Sequence, residues 1–377
     1  MKILYFGTYE KNYSRNRIII DGLRKNKQEV KECHFCLWEE KDKTKKKINF
    51  LRLIVLAFKI CTAYLILLIR YLRLNFDYDV MIVGYPGHLD IILAKILTFF
   101  RQKPLVFNPL ISLYDSIVYD RSLIRPSSAT ARLILVWEKF IYHKSDFIIL
   151  DTNIHIDYFV HQFNLPYSKF QRIFVGAEDI FFKQNLVKKK NRKFKVLFFG
   201  KFIPLHGIEY ILNAAKKLEN NRDIAFEIIG SGQLSKKIKQ KAKKDEIKNI
   251  NFIEWIPYKK LPKFIAQADI CLGIFGQSNK AQRVIPNKVF QSVALGKLVI
   301  TENSPAILEA FNDEENIILC NKGDSSLLAQ KIIRLKKYNK LRNKIGWNAY
   351  NLFKNKFTTD QIGFEVKNFL EIINKNF

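Results

Sequence analysis

The chain has 377 residues, and 48% of them are hydrophobic, which is enough for two cores and excludes global disorder. Lys and Arg number 64 against 35 Asp and Glu, and the net charge of +29 favours anionic partners such as phosphates or acidic lipid. Five scattered cysteines exclude a disulfide framework.

The chain opens on "KILYFGTYEKN", a strand ending at Gly7 followed by a polar loop. It lacks the long apolar run and cleavage site of a signal peptide, so a cytoplasmic location is expected. The strand "VKECHF" follows; its alternation accounts for Cys33, and a lone CxxC with Cys36 supplies only half of the four ligands of a zinc site. Next come a basic run at 41–47 and the apolar stretch 48–74, which Arg52, Lys59 and Arg70 interrupt. Its longest uncharged run, Ile60 to Ile69, is short of the ~20 residues a span needs. Two readings stay open: a helix docking on anionic lipid beside its basic loop, or a helix packed on its own sheet.

Further strands read as "VMIVGYP", "PLVFNP", "FIILDT" and "QRIFVG", and then a polar, charged linker is expected at 184–193. Beyond it stand "KVLFFG", "FEIIGSG", "INFIEW", "ICLGIF", "LVITEN" and "IILCN", with helix-length segments between most of them. Such alternation implies parallel sheets covered on both faces. The fold class expected is α/β, with two doubly wound Rossmann-like domains. One covers 1–185 together with the helix 358–377, and the other covers 190–357.

No serine-histidine-carboxylate set, Walker loop or metalloprotease helix is present. "GSGQ" at 230–233 is at most a weak dinucleotide fingerprint. The +29 charge comes without any nucleic-acid recognition module, so no nucleic-acid partner is expected. The segment "RVIPNKVFQ" is more informative. It places Arg283, Asn287, Lys288 and Gln291 at a helix mouth, where unpaired N–H groups and a partial positive charge suit a phosphate.

The run "KVLFFGKFIPLHGIEYILNAA…FEIIGSG…INFIEWIPYKKLPKFIAQADICL…RVIPNKVFQSVALGKLVIT" resembles the donor-binding domain of family 4 glycosyltransferases of GT-B architecture. "GTYEKNYSRNRIIIDGLRKN", "YDVMIVGYPGHLD" and "PLVFNPLISLYDSIVYDR" resemble the same family's acceptor domain. The resemblance implies domains facing across a cleft, a final helix crossing back to the first domain, and sugar transfer from a nucleotide-diphosphate sugar. Transfer would proceed with retention and without a metal or other cofactor.

The resemblance also implies site residues. Gly200, Lys201 and His206 fall in the first donor loop, with Lys201 and His206 where the family commonly has arginine and lysine on the diphosphate. Backbone N–H groups near Ile285 to Asn287, and a partly exposed Lys288, would face the diphosphate. Arg283 and Gln291 stand where the family has paired glutamates. Gln291 can still grip the ribose hydroxyls, whereas Arg283 reverses a charge and would meet phosphate or an acidic sugar. In the first half, Asn108 holds a position near the reacting sugar, and Asp115 is the nearest carboxylate able to orient an acceptor. His88 could reach the same place or cap the helix after it. Gly7 ends the first strand on the acceptor side, and Arg15 and Arg17 after it would suit a phosphate on a lipid-linked acceptor or stand as solvated surface charge; an oligosaccharide acceptor is the other possibility.

The expected activity is a glycosyltransferase acting on a glycolipid or polysaccharide acceptor, held peripherally at the inner face of the cell membrane. The alternative is a catalytically silent nucleotide-sugar binder or scaffold of the same fold.

Overall fold

The computed structural model describes residues 1–37, 50–182 and 193–377, with no side chains described at 50–53. The basic run 41–47, and all of the expected linker except Lys193, lie outside the described residues. The chain divides into two compact units. One comprises Met1–Tyr114, Ser127–Phe174 and Thr359–Phe377; the other comprises Asp115–Pro126 and Val175–Thr358. The division thus passes between Phe174 and Val175, where the sequence suggests 185–190, and the short segment after Tyr114 goes with the second unit.

The first unit holds strands β1 (Lys2–Gly7), β2 (Glu29–His34), β3 (Val80–Val83), β4 (Leu105–Phe107), β5 (Phe147–Leu150) and β6 (Phe170–Arg172). They form one parallel sheet in the order β2-β1-β3-β4-β5-β6. Every residue of β3 and β4 is buried, as strands covered on both faces require. The helices are α1 (Ser14–Lys25), α2 (Phe50–Arg73), α3 (Asp90–Arg101), α4 (Ala129–Lys144) and α5 (Asn153–Phe163). Phe6, Val83, Phe107 and Ile148 stand side by side in the register, so the loops leaving after them open on one edge.

Helix α2 packs on its own sheet along one stripe. Ala63, Leu67 and Tyr71, one helical turn apart, are buried against the sheet. The opposite face leaves Phe58 73% and Leu72 72% exposed. Ile54–Arg73 is long and apolar enough to cross a membrane, but its buried stripe ties the helix to the first sheet.

The second unit holds β7 (Phe194–Phe199), β8 (Ile224–Ile229), β9 (Ile250–Ile253), β10 (Ile270–Leu272), β11 (Val299–Glu302) and β12 (Ile318–Cys320). This sheet is also parallel, in the order β12-β11-β10-β7-β8-β9. Its helices are α6 (Ile208–Lys217), α7 (Ser235–Lys244), α8 (Leu261–Gln267), α9 (Asn287–Val293), α10 (Pro305–Leu308), α11 (Ser325–Lys337) and α12 (Asn339–Lys356). The apolar sides of α6 and α11 close one face of the sheet, where Ile211, Leu212, Leu328 and Ile332 join Val196 and Phe198 in one core.

The last helix, α13 (Thr359–Asn376), belongs to the first unit and packs on α1. Gly22 and Gly363 make that approach possible: a Cβ on Gly22 would stand 2.8 Å from Gly363 Cα. Two Rossmann-like parallel sheets and a returning final helix are as expected from the sequence.

Candidate active site

In an open parallel sheet, ligands gather beyond the carboxyl ends of the strands where the winding reverses. In the second unit that point lies between β7 and β10, so the loops opening at Gly200 and Gly273 flank it. Gly200 has φ +143°, and a Cβ there would stand 3.0 Å from Lys288 Nζ and 3.2 Å from His206 Cε1. Gly230 crosses beside it with φ +138°, where a Cβ would fall 1.9 Å from the Gly200 carbonyl oxygen. These two glycines let two strand ends and a lysine crowd into one corner.

Gly200, His206 and Lys288 therefore come together. Lys288 is buried, not partly exposed on a loop as the sequence suggests, because α9 turns its first residues inward onto β7. Its Nζ lies 3.9 Å from the centre of the Phe198 ring and has no hydrogen-bond partner among the described residues. Burial holds its pKa well below the ordinary lysine value. His206 donates from Nδ1 to the Lys201 carbonyl; burial, and then the Lys288 charge, hold its pKa well below the usual range. Ile285 is buried, Asn287 opens α9, and Pro286 before it supplies no side-chain cap to the first turn.

Gln291 is also buried and donates to the Tyr258 hydroxyl at 3.0 Å; that hydroxyl in turn donates to Glu178. Arg283 turns to Asp115. Arg283 Nη2 donates to Asp115 Oδ1 at 2.7 Å, with the carboxylate almost fully buried. Asp115 opens a π-helical turn, Asp115–Asp120, that is packed within the second unit. Lys280 is bonded to Ser116 in the same cluster, and Ser278 Oγ donates to Asp120 at 3.3 Å. The sequence reading treats Asp115 as an acceptor-side carboxylate of the first domain. The structure gives it an arginine partner in the donor loop.

Three features of this site were not read from the sequence. A cavity of about 560 Å³ opens beside Gly200 and Lys201, lined also by Gly230, Gly232, Gln233, Trp255, Ile256, Arg121 and Leu123. Trp255 is 75% exposed at its mouth, and Gln233 Nε2 donates to the Arg121 carbonyl at 2.8 Å. The signal for Trp255 was its place at the end of "INFIEW", on the ligand edge of a parallel sheet. Glu302, at the end of β11, accepts from Gln282; burial pushes its pKa up to about 7. Among the described residues no three His, Cys, Asp or Glu side chains stand together as metal ligands.

In the first unit, Gly7 faces Asp90: a Cβ at Gly7 would fall 2.3 Å from Asp90 Oδ2, which accepts from Thr8 N–H at 2.7 Å. Burial lifts Asp90 to a pKa of about 6. Arg15 and Asn108 meet, with Arg15 Nε donating to Asn108 Oδ1 at 3.1 Å, and both are fully buried. Arg17 lies two residues along α1 from Arg15, about 200° around the helix, so the two do not face one ligand. His88 is enclosed: Nδ1 lies 3.3 Å from the Pro86 carbonyl, and Nε2 lies 3.2 Å from the Ile111 carbonyl and 3.5 Å from Glu138 Oε1.

Residues 178–352 match the family model of glycosyl transferases group 1. Two uncharacterized glycosyltransferases of Methanocaldococcus jannaschii are similar. One is 26% identical over 46% of this chain and 47% of its own length; the other is 23% identical over 62% and 60%. The aligned part thus spans about half the length of these relatives. The fold is similar to Anabaena HepE in complex with UDP (TM-score 0.68, 13% identity, 98% of this chain and 100% of that one). It is also similar to sucrose-phosphate synthase from Thermosynechococcus elongatus (TM-score 0.71, 14% identity, 100% and 99%).

Proposed function

We propose that this protein transfers a sugar from a nucleotide-diphosphate sugar to a glycolipid or polysaccharide acceptor, with retention and without a metal. Lys288 carries the proposal: a buried lysine whose Nζ has no hydrogen-bond partner among the described residues, held against the Gly200 loop at the point where the second sheet reverses its winding. An ammonium left bare in a low-dielectric corner is poised for a diphosphate, and its charge would stabilise the negative charge that grows on the leaving nucleoside diphosphate. The cavity at Trp255 offers an apolar, aromatic-edged space for the base beside the same loop. HepE was crystallised with UDP and with UDP-glucose, so these are the first ligands to try. Labelled UDP-sugars and GDP-sugars with a panel of lipid-linked and oligosaccharide acceptors test the proposal. Labelled glycoside product is expected.

A second reading is a silent nucleotide-sugar binder. It is favoured by the Arg283–Asp115 pair, which ties up the carboxylate that the sequence offers for orienting an acceptor. Tight nucleotide binding with neither transfer nor hydrolysis across the panel would support it instead.

Cytoplasmic work at the inner membrane face is part of the proposal. Beyond α2, the neighbouring helices α3 and α4 leave Ile96, Phe99, Phe100, Leu133 and Val136 exposed, with Phe100 at 79%. Exposed apolar side chains on three helices that also carry Arg73, Arg101, Arg132 and Lys139 suit an anionic lipid surface. Sedimentation with anionic vesicles should fall with salt. It should also fall when Lys43, Lys45, Lys46 and Lys47 become Glu, with nucleotide affinity unchanged.

A further inference from the structure

At the carboxyl edge of the first sheet, Asn108 follows β4, Asp151 follows β5, and His155 stands in the first turn of α5. Arg15, in the first turn of α1, reaches the same place and donates through Nη1 to the Phe174 carbonyl at 2.7 Å. His155 Nδ1 lies 2.7 Å from Asp151 Oδ1. Asp151 is also the carboxylate that acts most strongly on the Arg15 charge. Arg15, Asn108 and His155 are each 0% exposed.

Three polar atoms of this group have no hydrogen-bond partner among the described residues: Arg15 Nη2, Asn108 Nδ2 and His155 Nε2. Their chemistry follows from their neighbours. A guanidinium only donates. The Asn108 oxygen must face Arg15 Nε, so its nitrogen is fixed as a donor. Asp151 accepts from His155 Nδ1, which fixes the orientation of that ring. Burying the Arg15 and Asn108 donors unmet is unfavourable, and a group that would meet both offers lone pairs.

We propose that Arg15 and Asn108 form an oxyanion subsite in the first unit, which takes a phosphate or carboxylate oxygen of the sugar acceptor. The naming of the acceptor rests on the glycosyltransferase reading; the chemistry of the subsite does not. Asp151 is a positioning residue here, acting on the Arg15 charge and holding the His155 ring.

The test is a calorimetric titration of the full chain with inorganic phosphate and, separately, with glucuronate, with UDP present in excess to fill the donor site. One of the two anions is expected to bind. Phosphate alone would assign a phosphorylated acceptor, and glucuronate alone an acidic sugar. Asn108→Asp keeps the shape but sets a carboxylate against Arg15. It should weaken anion binding about tenfold or more while the melting temperature holds or rises. Absence of binding by either anion, or equal binding by the Asn108→Asp protein, would overturn the subsite and leave a structural junction. If UDP does not bind, the donor reading fails by itself, and the same titrations without UDP still read the subsite through Asn108→Asp.

Discussion

Lys288 and Lys297 lie on either side of the end of α9, and both are buried. Lys297 has its donors in use: its Nζ bonds the carbonyls of Ala266 and Ala268, at the end of α8. Among the described residues, Lys288 Nζ has no hydrogen-bond partner and lies over the face of Phe198. The difference teaches that burial does not by itself mark a functional cation. A buried cation whose donors are occupied holds the fold together, and one whose donors are unused is set for a ligand. By that measure Arg283, paired with Asp115, and Lys280, bonded to Ser116, belong with Lys297.

The largest expected effect comes from the paired class. Arg283→Ala or Asp115→Ala leaves one buried charge uncompensated and should lower unfolding free energy by about 3–5 kcal/mol, with much of it restored in the double variant. Urea melts of the four proteins give the coupling. Additive losses would remove Arg283 from that class.

Next, Lys297→Met should destabilise by about 1–3 kcal/mol, since the two carbonyls lose their donor, and nucleotide affinity should not change. Lys288→Met should hold or raise stability, because it removes an unpaired buried charge. A comparable stability loss in both would erase the contrast.

The pH dependence follows from the same burial. The Lys288 pKa is lowered in the folded protein, so between that value and the ordinary 10.5 the unfolded chain binds a proton that the folded chain lacks. Stability should therefore gain up to about 1.4 kcal/mol per pH unit from this group as pH rises through that window. Thermal melts across the alkaline range should show a shallower slope for Lys288→Met. Identical slopes would mean that Lys288 is not desolvated.

The smallest effect concerns Gln291, already bonded to Tyr258. If Gln291 holds the ribose diol, Gln291→Leu should weaken ribonucleotide binding by about 1 kcal/mol and leave 2'-deoxy analogues untouched. Equal losses would place Gln291 in the Tyr258–Glu178 chain alone.

The fold was legible because most strands among the described residues, unlike the polar β2 and β6, are short apolar runs bounded by glycine, proline or polar residues, a signal that survives without tertiary context. The corner around Gly200, His206 and Lys288 was legible through a motif. Its depth was not, because the burial of Lys288 depends on Gly200 having no Cβ and on the Phe198 ring of β7, both far from it in sequence. Asp115 was misplaced for a similar reason: the short segment Asp115–Pro126 interrupts the first unit in sequence, and its partners, Arg283 among them, lie in the second. Asp90 carries no local signature, because its partner Thr8 follows a strand far away in sequence.

The central claim is that the second unit keeps an unpartnered buried lysine for a nucleotide diphosphate. Calorimetric titration of UDP and GDP against the wild-type protein and Lys288→Met tests it most directly. At least one nucleotide should bind the wild type, and the variant should lose about 1.5–3 kcal/mol of that affinity with no loss of melting temperature. Unchanged affinity in Lys288→Met for every nucleotide that binds would contradict the claim.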